Sequence, residues 1–337
     1  MNIFAHTWEI ADSYGRLAIE TADAIERVCG VSVNRIGDHS HGNRISPMFG
    51  GILTAYPTHF WKYGPMSEYG KRIALTMFES DAIPDDWVDP LNGCDSIVVP
   101  SRWLVDVFKN SGVTKPIYAE PIGISPSFKY AERKESPVFK FIAIGDHAGR
   151  KGVHNVIFEF VRAFGDREDV HLYVKTRSAK IAGFLNPNIT LINEDMCDED
   201  LARLYESCDC MVFPTKGEGF GLPPREFAAT GGIALATNWG GTADDLHEWG
   251  VPIPYTLIPA WSGGKFEGIG QWAKPDELHI RALMLWVRNL PHKARVSMGE
   301  FYSKRTRELY SWDNFGKRVY EMWSSVNANN NSVHASA

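Results

Sequence analysis

Short apolar runs alternate along the chain with longer segments in which apolar residues recur at helical spacing. The runs of the first half are Asn2–His6, Val31–Ile36, Gly51–Tyr56, Ile73–Phe78, Ile97–Pro100 and Ile117–Ile124. Helical spacing follows the first run over Gly15–Val28 and the fifth run over Arg102–Asn110. Apolar runs that are bounded by turn residues and alternate with helices predict buried parallel strands in βαβ units.

The second half repeats this alternation. Its apolar runs are Phe139–Ile144, His171–Val174, Ile189–Ile192, Cys210–Phe213 and Ile233–Ala236. Helices are predicted for Val153–Phe164, Asp198–Ser207, Glu277–Asn289 and Lys293–Leu309, and no strand is predicted in the glycine-rich segment Trp261–Lys274. Two such halves predict an α/β protein with two Rossmann-like, doubly wound parallel-sheet domains.

The limits of the domains follow from a change in composition. Ser125–Pro137 is polar, rich in lysine and glutamate and bounded by prolines, which is typical of a segment between domains. Ser311–Phe315 begins a last predicted helix, and the polar residues after it are predicted to be disordered. We therefore expect an N-terminal domain, a C-terminal domain, a final helix and a disordered tail, at residues 1–130, 137–310, 311–326 and 327–337.

Composition limits the kind of protein. With 337 residues, 44% of them hydrophobic, the chain is long enough for two domains with cores of their own. The net charge of −6 gives no electrostatic basis for tight, nonspecific binding to nucleic acid, although a local basic groove stays compatible with it. The five cysteines are an odd number without a C-x-x-C spacing, which indicates reduced thiols.

The sequence gives no sign of membrane targeting or of a membrane span. The opening residues, MNIFAHTWEI, place no basic region before an apolar run, so no signal peptide is expected. No apolar stretch is long enough to span a bilayer. We therefore expect a cytoplasmic protein.

The segment Val212–Thr237 is the most informative part of the sequence. It begins with an apolar run, continues with glycines at alternate positions (Gly217, Gly219 and Gly221), and then has two prolines that favour the start of a helix. A second apolar run completes a strand–loop–helix–strand unit. Loops of this kind lie at the carboxyl ends of parallel strands, where glycine lets backbone N–H groups approach an anion.

Two acids, Glu218 and Glu226, flank this loop with seven residues between them. The string E-G-F-G-L-P-P-R-E resembles the paired-glutamate signature of the family-four (GT4-like, glycosyl transferases group 1) retaining glycosyltransferases of the GT-B fold. In that family the first glutamate holds the transferred sugar and the second holds the ribose of the nucleotide. The resemblance implies these roles for Glu218 and Glu226, and donor contacts for Gly219, Phe220, Gly221 and Leu222. The alternative is that Glu218 is a solvated loop charge and Glu226 an exposed helix residue.

A second motif supplies positive charge. Arg150 and Lys151 follow an apolar run directly and precede a predicted helix, so they bring two cations to a strand end. They resemble the R-K-G segment that neutralises the donor diphosphate in family-four enzymes without a metal. Family members carry a further arginine just after the strand, where this chain has Asp146 and His147. Lys175 is a donor-binding candidate, and Arg177 and Lys216 are further candidates for phosphate contact.

The first half offers further candidates. Its S-Y-G-R-L-A string resembles the first loop of family-four enzymes, which implies a donor contact for Gly15. Many relatives carry a catalytic histidine near the end of a strand in this domain. The segment T-M-F-E-S offers Glu79 in that region, and His6 and His59 are alternatives. We assign the long loops to the acceptor side, at residues 37–50 and 59–69.

Asp198, Glu199 and Asp200 spell the D-x-D of metal-dependent GT-A enzymes, but they begin an amphipathic segment, where aspartate is a usual N-cap. We therefore predict no metal site.

The resemblance covers nearly the whole chain and implies a metal-independent, retaining transfer of a hexose-type sugar. The donor would be a UDP-, GDP- or ADP-sugar, the acceptor hydroxyl would belong to a glycan, a protein or a modified nucleobase, and no cofactor is expected. It also implies that the last helix crosses back to the N-terminal domain. Three alternatives stay open: a GT-B protein that binds a nucleotide sugar without transferring it, a phage-type enzyme acting on a modified DNA base, and transfer to a lipid.

Overall fold

The computed structural model describes residues 3–7, 13–37, 51–63, 71–146, 148–177, 186–261 and 266–334. The chain forms two compact units. One consists of Met1–Gly123 together with Tyr310–Ala337, and the other of Ile124–Leu309. Each unit contains a six-stranded parallel sheet, as the α/β prediction requires. All five cysteines are free thiols.

The N-terminal unit is a parallel sheet in the order β2-β1-β3-β4-β5-β6. Its strands are β1 (Ile3–Thr7), β2 (Val33–Gly37), β3 (Gly51–Thr54), β4 (Arg72–Leu75), β5 (Ser96–Val99) and β6 (Ile117–Ala119). Its first helices are α1 (Ser13–Cys29), α2 (Asp85–Asn92) and α3 (Arg102–Asn110). Strands β3, β4 and β6 end earlier than the apolar runs predicted, and the remaining residues of each run lie outside the sheet.

The last helix, α10 (Trp312–His334), packs on α1 within the N-terminal unit. Gly316 makes the close approach possible, since a Cβ atom there would lie 2.6 Å from Cβ of Ala24. Nε of Arg27 also donates to Oδ1 of Asp313 at 2.8 Å. The backbone is helical as far as His334, so residues 327–334 differ from the predicted disordered tail, and residues 335–337 lie outside the described residues.

The C-terminal unit is a parallel sheet in the order β12-β11-β10-β7-β8-β9. Its strands are β7 (Phe139–Ile144), β8 (Val170–Lys175), β9 (Ile189–Ile192), β10 (Cys210–Phe213), β11 (Ile233–Thr237) and β12 (Gly250–Ile253). Its helices are α4 (Ala148–Lys151), α5 (Val153–Phe164), α6 (Asp198–Glu206), α7 (Leu222–Ala229), α8 (Glu277–Asn289) and α9 (His292–Leu309). The core is built from side chains of β7, β8, α5 and α8, including Phe141, Phe160, Leu172 and Met284.

An antiparallel hairpin was not predicted. Strands β13 (Tyr255–Pro259) and β14 (Gln271–Pro275) pair so that Trp272 lies opposite Ile258. The sequence suggested no strand here because proline and glycine interrupt the apolar pattern. After β14 the carboxylate of Asp276 accepts a hydrogen bond from the backbone N–H of His279 at 3.0 Å, which caps α8 as its sequence indicates.

The predicted boundary segment, residues 125–137, belongs to the C-terminal unit. Arg133 fixes it there, because its buried guanidinium donates to the backbone oxygens of Cys208 at 3.0 Å and Tyr205 at 2.9 Å. It also donates to the hydroxyl of Thr230 at 2.8 Å. Burial lowers the pKa of Arg133 to about 10.

Candidate functional site

The two motif-bearing loops follow neighbouring strands in the centre of the C-terminal sheet. Strands β7 and β10 pair in parallel, so both loops emerge at the same edge. The backbone N–H of Lys216 donates to the backbone oxygen of Arg150 at 2.8 Å, which joins them. Gly152 has a φ of +69°, and a Cβ atom there would lie 2.3 Å from the backbone oxygen of Pro214. Only glycine therefore lets the first loop lie this close to the second.

The cations and the first glutamate of the motifs meet directly. Nζ of Lys151 lies 2.6 Å from Oε1 of Glu218, and a guanidinium nitrogen of Arg150 lies 3.4 Å from the same oxygen. The hydroxyl of Thr215 donates to it at 2.8 Å. Arg150 also donates to the backbone oxygen of Gly217 at 2.5 Å. Both cations lie in the short helix α4 rather than in a loop.

The electrostatics keep Glu218 ionised. Burial by itself would raise the pKa of this carboxyl, but the charges of Lys151 and Arg150 and the hydrogen bonds from Lys151 and Thr215 outweigh it, so the pKa is lowered. The ammonium of Lys151 also lies 5.4 Å from the centre of the Phe213 ring. The buried carboxylate of Glu218 thus stays charged beside the ammonium of Lys151, whose side chain is partly exposed.

In this arrangement the Glu218 carboxylate and the two cations can each contact a ligand. Among the described residues, the hydrogen bonds to the Glu218 carboxylate all end on Oε1, so Oε2 can accept from a ligand hydroxyl. Lys151 and Arg150 can bind an anion at the same place. Gly219, Phe220 and Gly221 follow Glu218, and Gly221, with a φ of +82°, leads into α7 at Leu222.

The second glutamate, Glu226, lies in α7. It is 3% exposed, and Glu218 is 6% exposed. The alternative prediction, two solvated surface charges, is therefore wrong. Next to Glu226 is a residue to which the sequence assigned no role, Arg225, which is completely buried and bonded to the glycine loop. Its signal in the sequence is a single cation in a short helix whose other residues, apart from Glu226, are apolar.

The other phosphate candidates make local bonds. Nζ of Lys175 donates to the backbone oxygen of Glu194 at 3.0 Å. Arg177 donates from its backbone N–H and from Nε to the carboxylate of Asp146, at 2.8 and 2.7 Å. Asp146, which follows β7, thus holds an arginine from the neighbouring strand end. Burial lowers the pKa of Lys216. His147 lies outside the described residues.

In the N-terminal unit, Tyr14 links the S-Y-G string, which begins α1, to the segment after β4. Its hydroxyl donates to the backbone oxygen of Met77 at 2.9 Å and lies 3.2 Å from the hydroxyl of Thr76. Burial raises the pKa of Tyr14, and the charge of Glu79 raises it further. Gly15 and Glu79 therefore lie on elements that are bonded within one unit.

The remaining histidine and acceptor-loop candidates are only partly described. The ring of His59 lies 6.0 Å from that of Tyr56. The side chain of His6 is not described, and residues 38–50 and 64–69 of the predicted acceptor loops lie outside the described residues.

The D-x-D string has local partners. Its three acids occupy the first turn of α6, where Glu199 accepts from the hydroxyl of Ser127 at 3.1 Å and Asp200 pairs with Arg203. The N-cap is Cys197, so the predicted aspartate cap is wrong. Across the described ranges, no group of three His, Cys, Asp or Glu side chains is arranged to hold a metal ion. No helix in the described part of the chain is long and apolar enough to cross a bilayer.

Solved structures show which fold this is. The chain is similar to sucrose-phosphate synthase from Thermosynechococcus elongatus, with a TM-score of 0.74 and 12% identity over 98% of this chain and 100% of that one. It is also similar to a glycosyltransferase from Rickettsia africae, with a TM-score of 0.73 and 12% identity over 96% and 98% of the two chains. The predicted GT-B fold is confirmed.

Sequence comparisons point to the family. Residues 127–250 match the family described as glycosyl transferases group 1. Putative glycosyltransferase 45 of Sulfolobus islandicus filamentous virus is 26% identical over 277 residues, 77% of this chain and 75% of the relative. D-inositol 3-phosphate glycosyltransferase of Corynebacterium urealyticum is 27% identical over 130 residues, 38% of this chain and 26% of the relative. These matches support the predicted resemblance to the group 1 glycosyltransferases. The chain's place in family four and its retaining chemistry stay predictions.

Proposed function

We propose that this protein transfers a hexose-type sugar from a nucleoside diphosphate sugar to an acceptor hydroxyl, with retention of configuration and without a metal. The observation that carries the proposal is the 2.6 Å contact between Lys151 and Glu218, with Arg150 beside it. A carboxylate that would accept from sugar hydroxyls thus lies beside two cations that would bind phosphate.

The charges match the reaction. Breaking the bond between a sugar and a diphosphate builds negative charge on the leaving phosphate, and fixed cations there lower the barrier. Lys151 and Arg150 would supply this stabilisation. Oε2 of Glu218 would accept a hydrogen bond from a sugar hydroxyl, and Glu226 would bind the ribose. In a retaining reaction the acceptor attacks the face from which the diphosphate leaves, and a departing phosphate oxygen takes the acceptor proton.

The acceptor side is assigned to the N-terminal unit. Glu79 and Gly15 lie on elements joined by Tyr14, and Glu79 is the candidate for the position at which many relatives carry a catalytic histidine. The names of the relatives suggest different acceptors, so we leave the acceptor open between a glycan, a protein and a modified nucleobase.

A donor screen tests the proposal first. The thermal stability of the protein is measured with UDP-, GDP-, ADP- and TDP-sugars, each at saturation. A ligand present at about 100 times its Kd raises the unfolding free energy by roughly 2.7 kcal/mol, which a thermal shift detects. Release of the nucleoside diphosphate is then followed with the donor that binds, with and without candidate acceptors.

The outcomes separate the alternatives. Release that depends on an acceptor supports the transferase. Tight binding without release over hours would instead favour a nucleotide-sugar-binding protein, and labelled sugar recovered on DNA would identify the base-modifying enzyme. No stabilisation by any donor would contradict the proposal.

Metal independence has its own test. Activity should survive dialysis against EDTA, since Arg150 and Lys151 are proposed to replace a metal. Loss of activity in EDTA that Mn²⁺ restores would show that the diphosphate needs a cation that this pair does not supply.

A further inference from the structure

Arg225 is a buried cation at the base of the glycine loop. Its side chain is 1% exposed, and it lies in α7 directly before Glu226. A charge withdrawn from water is costly unless it is paired and fully hydrogen-bonded. Here a carboxylate oxygen of Asp245 lies 2.8 Å from the guanidinium, and the same oxygen accepts from the indole N–H of Trp249 at 2.9 Å.

The guanidinium joins two loops through their backbone. One nitrogen donates to the backbone oxygens of Phe220 and Gly221, the latter at 3.2 Å, and the other donates to the backbone oxygen of Gly241 at 3.0 Å. Its central carbon lies 4.1 Å from the ring centre of Phe220 and 4.6 Å from that of Trp249. Only a planar cation with several donors makes these contacts together.

The second of these loops is bonded to Glu218 itself. The backbone N–H of Gly241 donates to the backbone oxygen of Glu218 at 2.8 Å. A Cβ atom on Gly241 would lie 2.0 Å from the backbone oxygen of Gly219, so the two loops are in close contact. Arg225 therefore reaches the Glu218 backbone through Gly241, while Lys151 and Thr215 hold its carboxylate.

We propose that Arg225 is a positioning residue of the donor site: it holds the Glu218–Gly221 backbone where the Glu218 carboxylate meets the donor sugar. The link to sugar binding rests on the proposed function, whereas the effect on the loop does not. Arg225 acts through backbone oxygens and does not itself touch the donor.

The test compares two buried arginines. Arg225→Met removes the contacts with the glycine loop, and Arg133→Met removes a similar set of bonds to backbone oxygens elsewhere in the same unit. Hydrogen exchange of the amides of residues 217–221 and 241 is measured under native conditions. In Arg225→Met these amides should exchange about tenfold or more faster than in the wild type, while the other loops of the sheet exchange as before. Arg133→Met should leave the exchange of these amides unchanged.

Ligand binding is then measured for NDP and for the NDP-sugar separately. Arg225→Met should keep its affinity for NDP within about threefold and lose about tenfold in affinity for the NDP-sugar, because one misplaced charged hydrogen bond has that effect. Arg225→Lys, which keeps the charge without the planar fork, should fall between wild type and Arg225→Met.

The outcomes distinguish this inference from the proposed function. Unchanged loop exchange in Arg225→Met, or equal acceleration in Arg133→Met, would overturn the positioning role whether or not a donor binds. If the wild type binds no donor while the loop exchange rises selectively, the positioning role stands and the proposed function fails. Should Arg225→Met not fold, Asp245→Asn, which removes only the counter-charge, is expected to show the same selective exchange, and its absence would overturn the inference.

Discussion

The ammonium of Lys151 lies 2.6 Å from the carboxylate of Glu218, although the two residues are 67 positions apart and follow different strands. Each neutralises the other in the structure, and both are nearly buried. A ligand that carries phosphates and hydroxyls can contact both at once. The contact is therefore the structural basis of the proposed donor site.

Glu218→Gln should remove most of the activity while leaving the fold intact. The amide has nearly the same shape as the carboxylate but forms a weaker, uncharged hydrogen bond with a sugar hydroxyl. A charged hydrogen bond contributes about 1.5–3 kcal/mol, so turnover should fall by roughly 10- to 100-fold or more. NDP release under saturating donor is the measurement.

Glu159→Gln is the matched control. Glu159 is a buried glutamate of α5, and among the described residues its ion-pair partners, Arg162 and Arg281, lie outside the two loops. Its substitution should lower stability and leave turnover per folded molecule unchanged. Equal losses of turnover in both variants would show that the effect reports folding rather than the site.

Lys151→Met should change how stability depends on pH. In the wild type the pKa of Glu218 lies below its usual value of 4.5, so its contribution to stability is present above that pH and is lost as pH falls through the lowered pKa. Without Lys151, burial is opposed less, so the pKa of Glu218 is higher than in the wild type. The ionised carboxyl of the variant then contributes less to stability once the pH exceeds the lowered pKa of the wild type.

The difference in unfolding free energy between wild type and Lys151→Met should thus be smallest on the acid side of the lowered Glu218 pKa and grow to about 1–3 kcal/mol at pH 7. Urea unfolding across this pH range measures it. A difference that stays constant with pH would show that Lys151 does not control the charge of Glu218.

Gly152→Ala should disturb both loops. The left-handed φ of +69° is strained for alanine, and the added Cβ would lie 2.3 Å from the backbone oxygen of Pro214. Gly30→Ala is the matched control, because Gly30 has a φ of +65° and no atom within 4 Å of the added Cβ. We expect a loss of about 1 kcal/mol in Gly30→Ala and about 2–4 kcal/mol in Gly152→Ala.

Only Gly152→Ala should also weaken donor binding, since only it displaces the loops. Thermal unfolding and donor titration of both variants measure this. Equal losses of stability with intact binding in both would mean that the loops adapt to the methyl group.

Gly316→Ala should destabilise the packing of α10 on α1. The added Cβ would lie 2.6 Å from Cβ of Ala24 and 2.9 Å from its carbonyl carbon, so one helix must shift. Overpacking of this kind costs about 1–3 kcal/mol, and urea unfolding measures it. Asn314→Ala, at an exposed position of the same helix, should have little effect, and a comparable loss there would point to a general weakness of α10.

Most strands were predictable because each is a short apolar run, and the runs at Phe139–Ile144 and Cys210–Phe213 were predicted to the residue. The glycine loop was recognisable because its spacing is unusual. The hairpin of β13 and β14 was not predictable, since prolines and glycines hide its alternation. The α-helical backbone of residues 327–334 was missed because polar composition resembles that of a disordered segment.

The site was predictable only in part. Arg150, Lys151, Glu218 and Glu226 stood out because their motifs are local. The contacts of Arg225 with Asp245 and Gly241 depend on the tertiary fold, so no spacing in the sequence indicates them. The bond between Asp146 and Arg177 likewise joins two strand ends that only the sheet order makes neighbours.

The most direct test of the account compares the affinities of NDP and NDP-sugar by calorimetry in the wild type, Glu218→Gln and Lys151→Met. We predict that Glu218→Gln keeps its affinity for NDP and loses the additional affinity for the sugar, whereas Lys151→Met binds both ligands about tenfold or more weakly. If both variants bind both ligands as the wild type does, Lys151 and Glu218 do not form the donor site.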